Sequence, residues 1–340
     1  MSHGMTTATA PLVQRVFQAL SAMEFRSGEQ VASSLQVTRA AVWKAVEQLR
    51  ELQVPLEAVA NRGYRLGPGY AALEPAEILQ SLAPVCRQRI ATFETMWSLP
   101  STNDYLLGLS PPAPGKLHVA LAECQTAGRG RRGRAWIAPP GGSICLSFGW
   151  TFAELPPDIA SLALAMGVCT QRAIAESGIA AVRLKWPNDL VTADGKLAGI
   201  LLELRAEASG PAYVVVGMGI NAVLPADELA AIAATGTRAV DLQSLVDGTT
   251  TINRNRLIAA ILRECVAGLL AFEAQGFAAC RGAWLELDAL RGRQVNVQRG
   301  NEIVRGLARG IDSHGQLLLE TPDGVIACSS GDVSVRPAGN

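Results

Sequence analysis

A chain of 340 residues suggests two or three domains of about 150 residues each. With 49% hydrophobic and 18% charged residues it can bury a large core, which excludes a mainly disordered class. Lys+Arg and Asp+Glu both total 30, so net charge excludes a generally basic nucleic-acid binder and leaves only a local patch for that role.

The seven cysteines, Cys86, Cys124, Cys145, Cys169, Cys265, Cys280 and Cys328, are scattered and form no C-x-x-C pair. That pattern argues against a disulfide framework or a zinc site and for a reducing, cytoplasmic location. No apolar run approaches the length of about 18 residues that a membrane span needs, and "MSHGMTTATAP" lacks the apolar stretch of a signal peptide.

In chain order, "LVQRVFQALS" places Leu12, Val16, Ala19 and Leu20 at helical spacing. Ser27 is a candidate N-cap for a short helix with Val31 and Leu35 inward. After a turn near Gln36–Val37, Thr38 can cap a second helix with Val42, Val46, Leu49 and Leu52 inward. Two short helices about a tight turn form a helix-turn-helix, and "PLEAVANRGYRLG" adds a β-hairpin wing around Asn61-Arg62-Gly63. The outer face of the second helix carries Arg39, Trp43, Lys44 and Glu47, with Arg62 and Arg65 on the wing. Such a face suits a DNA major groove, with Thr38, Arg39, Trp43, Lys44 and Arg62 as the candidate contacts. Seven Lys/Arg against five Glu make this region only mildly basic, so a winged helix used for protein contact stays open.

From 74 to 285, strand candidates at 117–123, 143–150, 181–186, 197–204 and 212–221 are mixed with helix candidates at 159–178 and 255–277. Strands outnumber helices and do not alternate with them, which favours a mixed α+β sheet over a doubly wound one. Residues 288–337 break into short strands separated by Gly, Asn and Asp, the pattern of a small all-β barrel. The expected domains are therefore 12–67, 74–285 and 288–337.

Two motifs carry chemistry. "GRGRRGR" (128–134) matches the G-x-G-x-x-G fingerprint, but Pro139-Pro140 and Gly141-Gly142 stop the helix that a dinucleotide turn requires. Four guanidiniums in seven residues instead make an anion-binding loop, mobile until neutralised and best suited to phosphate. Nucleic-acid binding is its generic competitor. In "LKWPNDLVTADGKLAGILLEL", Lys185 closes an apolar run and Pro187 with Asn188-Asp189 forces a turn. A lysine there snorkels or meets an anion. Together the segments describe a site for a phosphorylated or carboxylate-bearing ligand, with Asp189 able to hold a divalent ion.

"STN" (101–103), "ECQTAGRGRRGRAW" (123–136), "KWPNDL" (185–190), "GKLAGILLEL" (195–204) and "GMGIN" (217–221) stand in the order and spacing of biotin protein ligases. The flanking "SGEQVASSLQVTRAAVWKAVEQLR" and "GRQVNV…GDVSVRP" resemble those of the bifunctional branch, the biotin operon repressors. The resemblance covers about residues 12–337. It implies an N-terminal winged helix-turn-helix, a catalytic sheet related to class II aminoacyl-tRNA synthetases, and a C-terminal SH3-like barrel. The implied reaction joins biotin to Mg·ATP as biotinyl-5′-adenylate and transfers it to a lysine of the biotin carboxyl carrier domain of acetyl-CoA carboxylase. Carried over residue by residue, Ser101, Thr102, Asn103, Gln125 and Gly128 fall to biotin. Arg129, Arg131 and Lys185 fall to biotin and the reacting phosphate, and Arg131, Arg132, Arg134, Trp136, Lys185, Asn188, Asn221 and Arg293 to ATP. Asp189 is the candidate contact for Mg2+. The bifunctional branch also implies an adenylate-driven homodimer on operator DNA. A monofunctional ligase and a lipoate ligase remain the alternatives. One departure is Pro100, where the family usually has an acidic residue before S-T-N; here Asp104 follows the motif. No Ser-His-Asp or Cys-His arrangement is present, which fits a reaction whose nucleophile comes from the partner.

Overall fold

The computed structural model describes residues 10–206, 210–247, 250–299, 302–329 and 333–337. At the N-terminus, α1 (Leu12–Ala19), α2 (Gly28–Leu35) and α3 (Arg39–Glu51) bury Val16, Phe17, Val31, Val42, Val46 and Leu49 around one small core. Ser27 accepts from the Gln30 amide at 3.1 Å while the Gln30 side chain takes the Ser27 amide at 2.7 Å, a reciprocal capping box. Thr38 caps α3 through the Ala41 amide, and Gln36 turns the chain between the helices in the left-handed region. Leu52, expected inward, lies past the end of α3 and stays 40% exposed, because the helix stops one residue earlier. Strands β1 (Leu56–Val59) and β2 (Gly63–Leu66) form the antiparallel wing. Gly63 has φ +103, and a Cβ there would strike the Arg26 carbonyl, so this turn needs glycine.

The central body is a seven-stranded mixed sheet. Helices α4 (Pro75–Ser81) and α5 (Pro84–Arg87) lead into β3 (Ile90–Leu99), and α6 (Thr102–Leu107) follows it. The remaining strands are β4 (Leu117–Gln125), β5 (Ser143–Phe152), β6 (Arg183–Lys185), β7 (Asp189–Val191), β8 (Lys196–Ala206) and β9 (Ala212–Asn221), in the order β3-β4-β5-β9-β8-β7-β6. Only the β3–β4 pair is parallel among the described residues. Helix α7 (Leu162–Glu176) lies before β6; α8 (Ala226–Ala234), α9 (Arg254–Gln275) and α10 (Ala278–Leu287) follow β9.

Strand alternation separates the two faces of this sheet. Leu117, Val119, Leu121, Ile144, Leu146, Phe148, Trp150, Val214, Val216, Met218 and Ile220 belong to the core shared with α7 and α9. Their neighbours in sequence, Ala120, Ala122, Cys145, Ser147, Gly217 and Gly219, therefore point the other way. One face is bulky and carries the long helices α7 and α9; on the other, α6 packs on Ala120, Tyr213 and Val215, and the small residues beyond it leave space.

The C-terminal sheet comprises β10 (Gln294–Arg299), β11 (Glu302–Ile311), β12 (Leu317–Thr321), β13 (Gly324–Cys328) and β14 (Val333–Pro337), antiparallel in the order β13-β12-β11-β10-β14. It shares the core of the body through Val295, Val297, Ala308, Leu317 and Leu319, and the buried Trp186 indole N–H donates to the Gly315 carbonyl at 3.0 Å.

Candidate functional site

A cavity of about 1630 Å3 opens over the small-residue face of the sheet. The β3–α6 junction forms its floor. Ser101 caps α6 by accepting from the Asp104 amide, which sets Thr102 and Asn103 in the first turn. Gln125 Oε1 takes both the Thr102 amide (2.8 Å) and its hydroxyl (3.1 Å). Thr102 Oγ1 meets Ser147 Oγ at 2.6 Å, Ser147 donates to Asn103 Oδ1 at 2.6 Å, and Asn103 Nδ2 donates to Glu203 at 2.7 Å. This chain of polar groups on β4, β5 and β8 holds the S-T-N turn in one geometry. A Cβ at Gly217 would collide with Asn103 Oδ1, so glycine is what admits the asparagine to the sheet.

The arginine segment is a narrow hairpin. Gly128 O takes the Trp136 amide at 2.8 Å, Arg129 bridges Ala135, and the Gly130 amide reaches Arg134 O at 2.7 Å. Arg132 (φ 61) and Gly133 (φ 69) turn its tip in the left-handed region. At Gly128, which is not among the lining residues, a Cβ would stand 2.7 Å from the Trp136 carbonyl oxygen. Arg129 is ion-paired to Asp104 and, at 3.4 Å, to Glu203. The carboxylate that follows S-T-N in this chain thus meets the arginine hairpin. Arg131 Nη1 donates to Asn188 Oδ1 at 3.5 Å. Trp136 lies over Gly219, where any side chain would strike the indole, and Lys196 Nζ sits 5.5 Å from the ring centre.

The opposite wall is the β6–β7 hairpin. Lys185 pairs with Asp189 across it, and Asn188 is locked to Ile200 through its side-chain amide (2.7 Å) and its carbonyl (2.9 Å). Asp189 Oδ1 binds Lys196 Nζ at 2.7 Å, and among the described residues no group of three His, Cys, Asp or Glu side chains could hold a metal ion. Asn221 Nδ2 donates to the Val240 and Lys196 carbonyls, tying the 238–242 segment to the end of β9.

Ser101, Thr102, Asn103, Gln125, Arg129, Arg131, Arg132, Arg134, Trp136, Lys185, Asn188, Asp189, Asn221 and Arg293 all line this one cavity. Sequence reasoning missed Lys196, Glu203, Ser147, Gly217, Gly219, Arg238 and Arg291, which join the wall or hold it. Burial pushes the Cys145 thiol up to about 12 and holds the Asp288 carboxyl above its ordinary range. Cys145, behind the floor, is therefore a protonated packing group.

On the N-terminal unit, Arg39, Trp43 and Lys44 are exposed along α3, and Thr38 stands at its start. Arg62 and Arg65 stack on Phe25 at 4.2 and 4.6 Å from the ring centre, and Arg65 also pairs with Glu57 at 2.6 Å.

An arginine hairpin and a strand-end lysine over a glycine-bearing mixed sheet define the class. The Biotin/lipoate A/B protein ligase family matches residues 96–221, the Biotin protein ligase C terminal domain 291–336, and an HTH domain 13–65. The bifunctional ligase/repressor BirA of Escherichia coli (strain K12) is 35% identical over 98% of this chain and 99% of its own length. That of Bacillus subtilis (strain 168) is 31% identical over 92% and 94%. The Aquifex aeolicus biotin protein ligase in complex with biotin and ATP matches with TM-score 0.60 and 25% identity over 73% of this chain and 100% of that one. The chain belongs to the bifunctional biotin ligase/repressor family, as its motifs implied.

Proposed function

We propose that the protein is an ATP-dependent biotin protein ligase and, through its winged helix, a biotin-adenylate-dependent repressor of biotin genes. The carrying observation is the convergence of the S-T-N turn, the arginine hairpin and Lys185 on one cavity. In the first half-reaction a biotin carboxylate oxygen attacks the α-phosphorus of ATP. A C–O–P anhydride forms, the bond to the β-phosphate oxygen breaks, and pyrophosphate leaves. In the second, a lysine amine of the biotin carboxyl carrier domain attacks the acyl carbon, loses a proton and displaces AMP.

Both steps gather negative charge at one phosphate, and fixed cations in a site shielded from water stabilise it most. Arg129, Arg131 and Lys185 take that role, with Arg132, Arg134 and Arg293 along the polyphosphate. Ser101, Thr102, Asn103, Gln125 and the Gly128 backbone hold the biotin head group. Trp136, Asn188 and Asn221 bound the nucleotide. Mg2+ arrives as Mg·ATP, since Asp189 alone, already bound to Lys196, is a poor resident site.

The same reading divides the chain at 12–67, 74–285 and 288–337. It relates the central sheet to class II synthetases and makes the C-terminal sheet an SH3-like barrel. It places the protein in the cytoplasm, and no described helix is long and apolar enough to cross a membrane. Thr38, Arg39, Trp43, Lys44 and Arg62 face operator DNA in a homodimer that forms on adenylate binding.

Pyrophosphate release with biotin but not with lipoate tests the substrate. Lys185→Ala should lower that release by at least a hundredfold, a loss of about 3 kcal/mol of transition-state stabilisation; release near the wild-type rate refutes its role. Arg131→Gly should release adenylate into solution, whereas tight retention by that variant overturns the hairpin assignment. A gel shift on biotin-operon DNA that requires biotin and ATP together tests the repressor half.

A further inference from the structure

Residues 71–74, the link between the winged helix and the catalytic sheet, are gripped by side chains rather than by strand pairing. The Ala71 carbonyl accepts from Arg254, the Ala72 carbonyl from Asn255 Nδ2 (3.1 Å), the Leu73 amide donates to Glu123 (2.5 Å), and the Glu74 amide donates to Asn255 Oδ1 (3.0 Å). Arg254 and Glu123 pair at 2.8 Å with side chains only 1% and 5% exposed, and Arg254 also donates to the Ser143 carbonyl at 2.8 Å. Four consecutive residues are thus read by three side chains, two of them a buried ion pair. Such a pair is a poor choice for bulk stability and is best explained by a positional role.

On its other side the grip holds strands whose ends reach the cavity. Glu123 lies two residues before Gln125 on β4, the residue that fixes Thr102. Ser143 pairs directly with Asn221 between β5 and β9. The winged helix and the link after it are seated beside this region, with the Phe17 and Trp97 ring centres 5.6 Å apart and Tyr70 of the link donating to the Val223 carbonyl at 3.0 Å.

We propose that Glu123, Arg254 and Asn255 form a linker clip that fixes the winged helix on the catalytic sheet and couples its order to occupancy of the cavity. They are positioning residues, acting through the linker on one side and through β4 and β5 on the other. The ligand arm rests on the ligase reading; the clip itself does not. The coupling has the form of a ligand that orders a segment shared by two sites.

Hydrogen–deuterium exchange on the full chain tests it, without ligand and with biotin plus ATP. Asn255→Ala opens the linker side without touching the buried charges, and Glu123→Gln removes the charge while keeping an acceptor for Leu73. In wild type, segments 12–20 and 64–74 should exchange several-fold more slowly with both substrates. In each variant, exchange of 70–74 should rise at least tenfold without ligand, and the slowing of 12–20 should be lost. Pyrophosphate release should stay within threefold of wild type. A merely structural pair would instead lower the melting temperature and pyrophosphate release together and leave the ligand response intact, which overturns the proposal. Unchanged exchange of 70–74 in Asn255→Ala also overturns it, as does a wild type whose segment 12–20 ignores the substrates although pyrophosphate is released. If wild type releases no pyrophosphate, the ligase reading fails, while exchange of 70–74 without ligand still upholds or overturns the clip.

Discussion

Gly219 and Gly217 show how single residues shape this cavity. Each lies on the small-residue face of β9, and each is pressed by a side chain that the proposed chemistry uses, Trp136 over Gly219 and Asn103 over Gly217. Overpacking by one methyl costs about 1–3 kcal/mol where the neighbour cannot move freely. Gly219→Ala should therefore raise the KM for ATP by about five- to a hundredfold, since each ~1.4 kcal/mol is tenfold, with little change in the KM for biotin. Gly217→Ala should show the opposite split. Steady-state pyrophosphate release against each substrate reads both, and equal effects on the two constants refute the separate subsites. Six of the seven cysteines are buried and Cys280 partly so, and burial pushes the Cys145 and Cys280 thiols up to about 12. Below that pH these thiols stay protonated, and the thiolate is the reactive form. Iodoacetamide at pH 8 should leave native Cys145 and Cys280 unmodified, and mass spectrometry after unfolding should find all seven accessible; rapid native labelling of Cys280 contradicts the assignment.

At the scale of elements, legibility followed from how local the determining physics is. The winged helix was readable because Ser27, Gln36, Thr38 and Gly63 each set a cap or turn within a few residues. Losing such a cap costs ~1 kcal/mol, so Ser27→Ala should lower the stability of the N-terminal unit by about that amount. Urea unfolding followed by exchange of α2 amides measures it, with pyrophosphate release unchanged. The strands β4, β5, β8 and β9 were readable from long apolar runs, within two residues at each end. Strand β3 was missed because Thr92, Glu94 and Ser98 break the run, as an edge strand permits. Helices α6, α8 and α10 are short or lack an expected start signal. The stretch 181–186 shrank to Arg183–Lys185, because its pairing is limited to a three-residue hairpin with β7. In the site, the glycine-arginine and K-W-P-N-D motifs were legible because each is contiguous. Ser147, Lys196, Glu203 and Arg254 were not, since their partners arrive from 44 to 131 residues away, Lys196 apart, whose Asp189 is near but across a hairpin. A lone glutamate inside an apolar strand, as at Glu123 or Glu203, was the signal available.

For the whole molecule, the C-terminal sheet shares the core of the body, and at that junction the Trp186 indole, one residue from Lys185, donates to the Gly315 carbonyl. Gly315 has φ +77, and a Cβ there would stand 2.8 Å from Leu164, so the turn that offers this carbonyl is held from both sides. Arg281 adds bonds to the Asp312 and Ile311 carbonyls at 2.9 Å each. The same junction brings Arg291 and Arg293 to the cavity wall. Trp186→Phe keeps most of the apolar ring but leaves a buried carbonyl without its donor, a cost of about 1–3 kcal/mol. If the C-terminal sheet serves the reaction by seating Lys185 and the two arginines, this variant should lose adenylation beyond its loss of stability. The expected signature is a KM for ATP raised several-fold at a temperature well below the unfolding transition, with the KM for biotin nearly unchanged. A lowered melting temperature with both constants intact would mean that the sheet only props the body, and that the cations of the central sheet suffice to hold the polyphosphate.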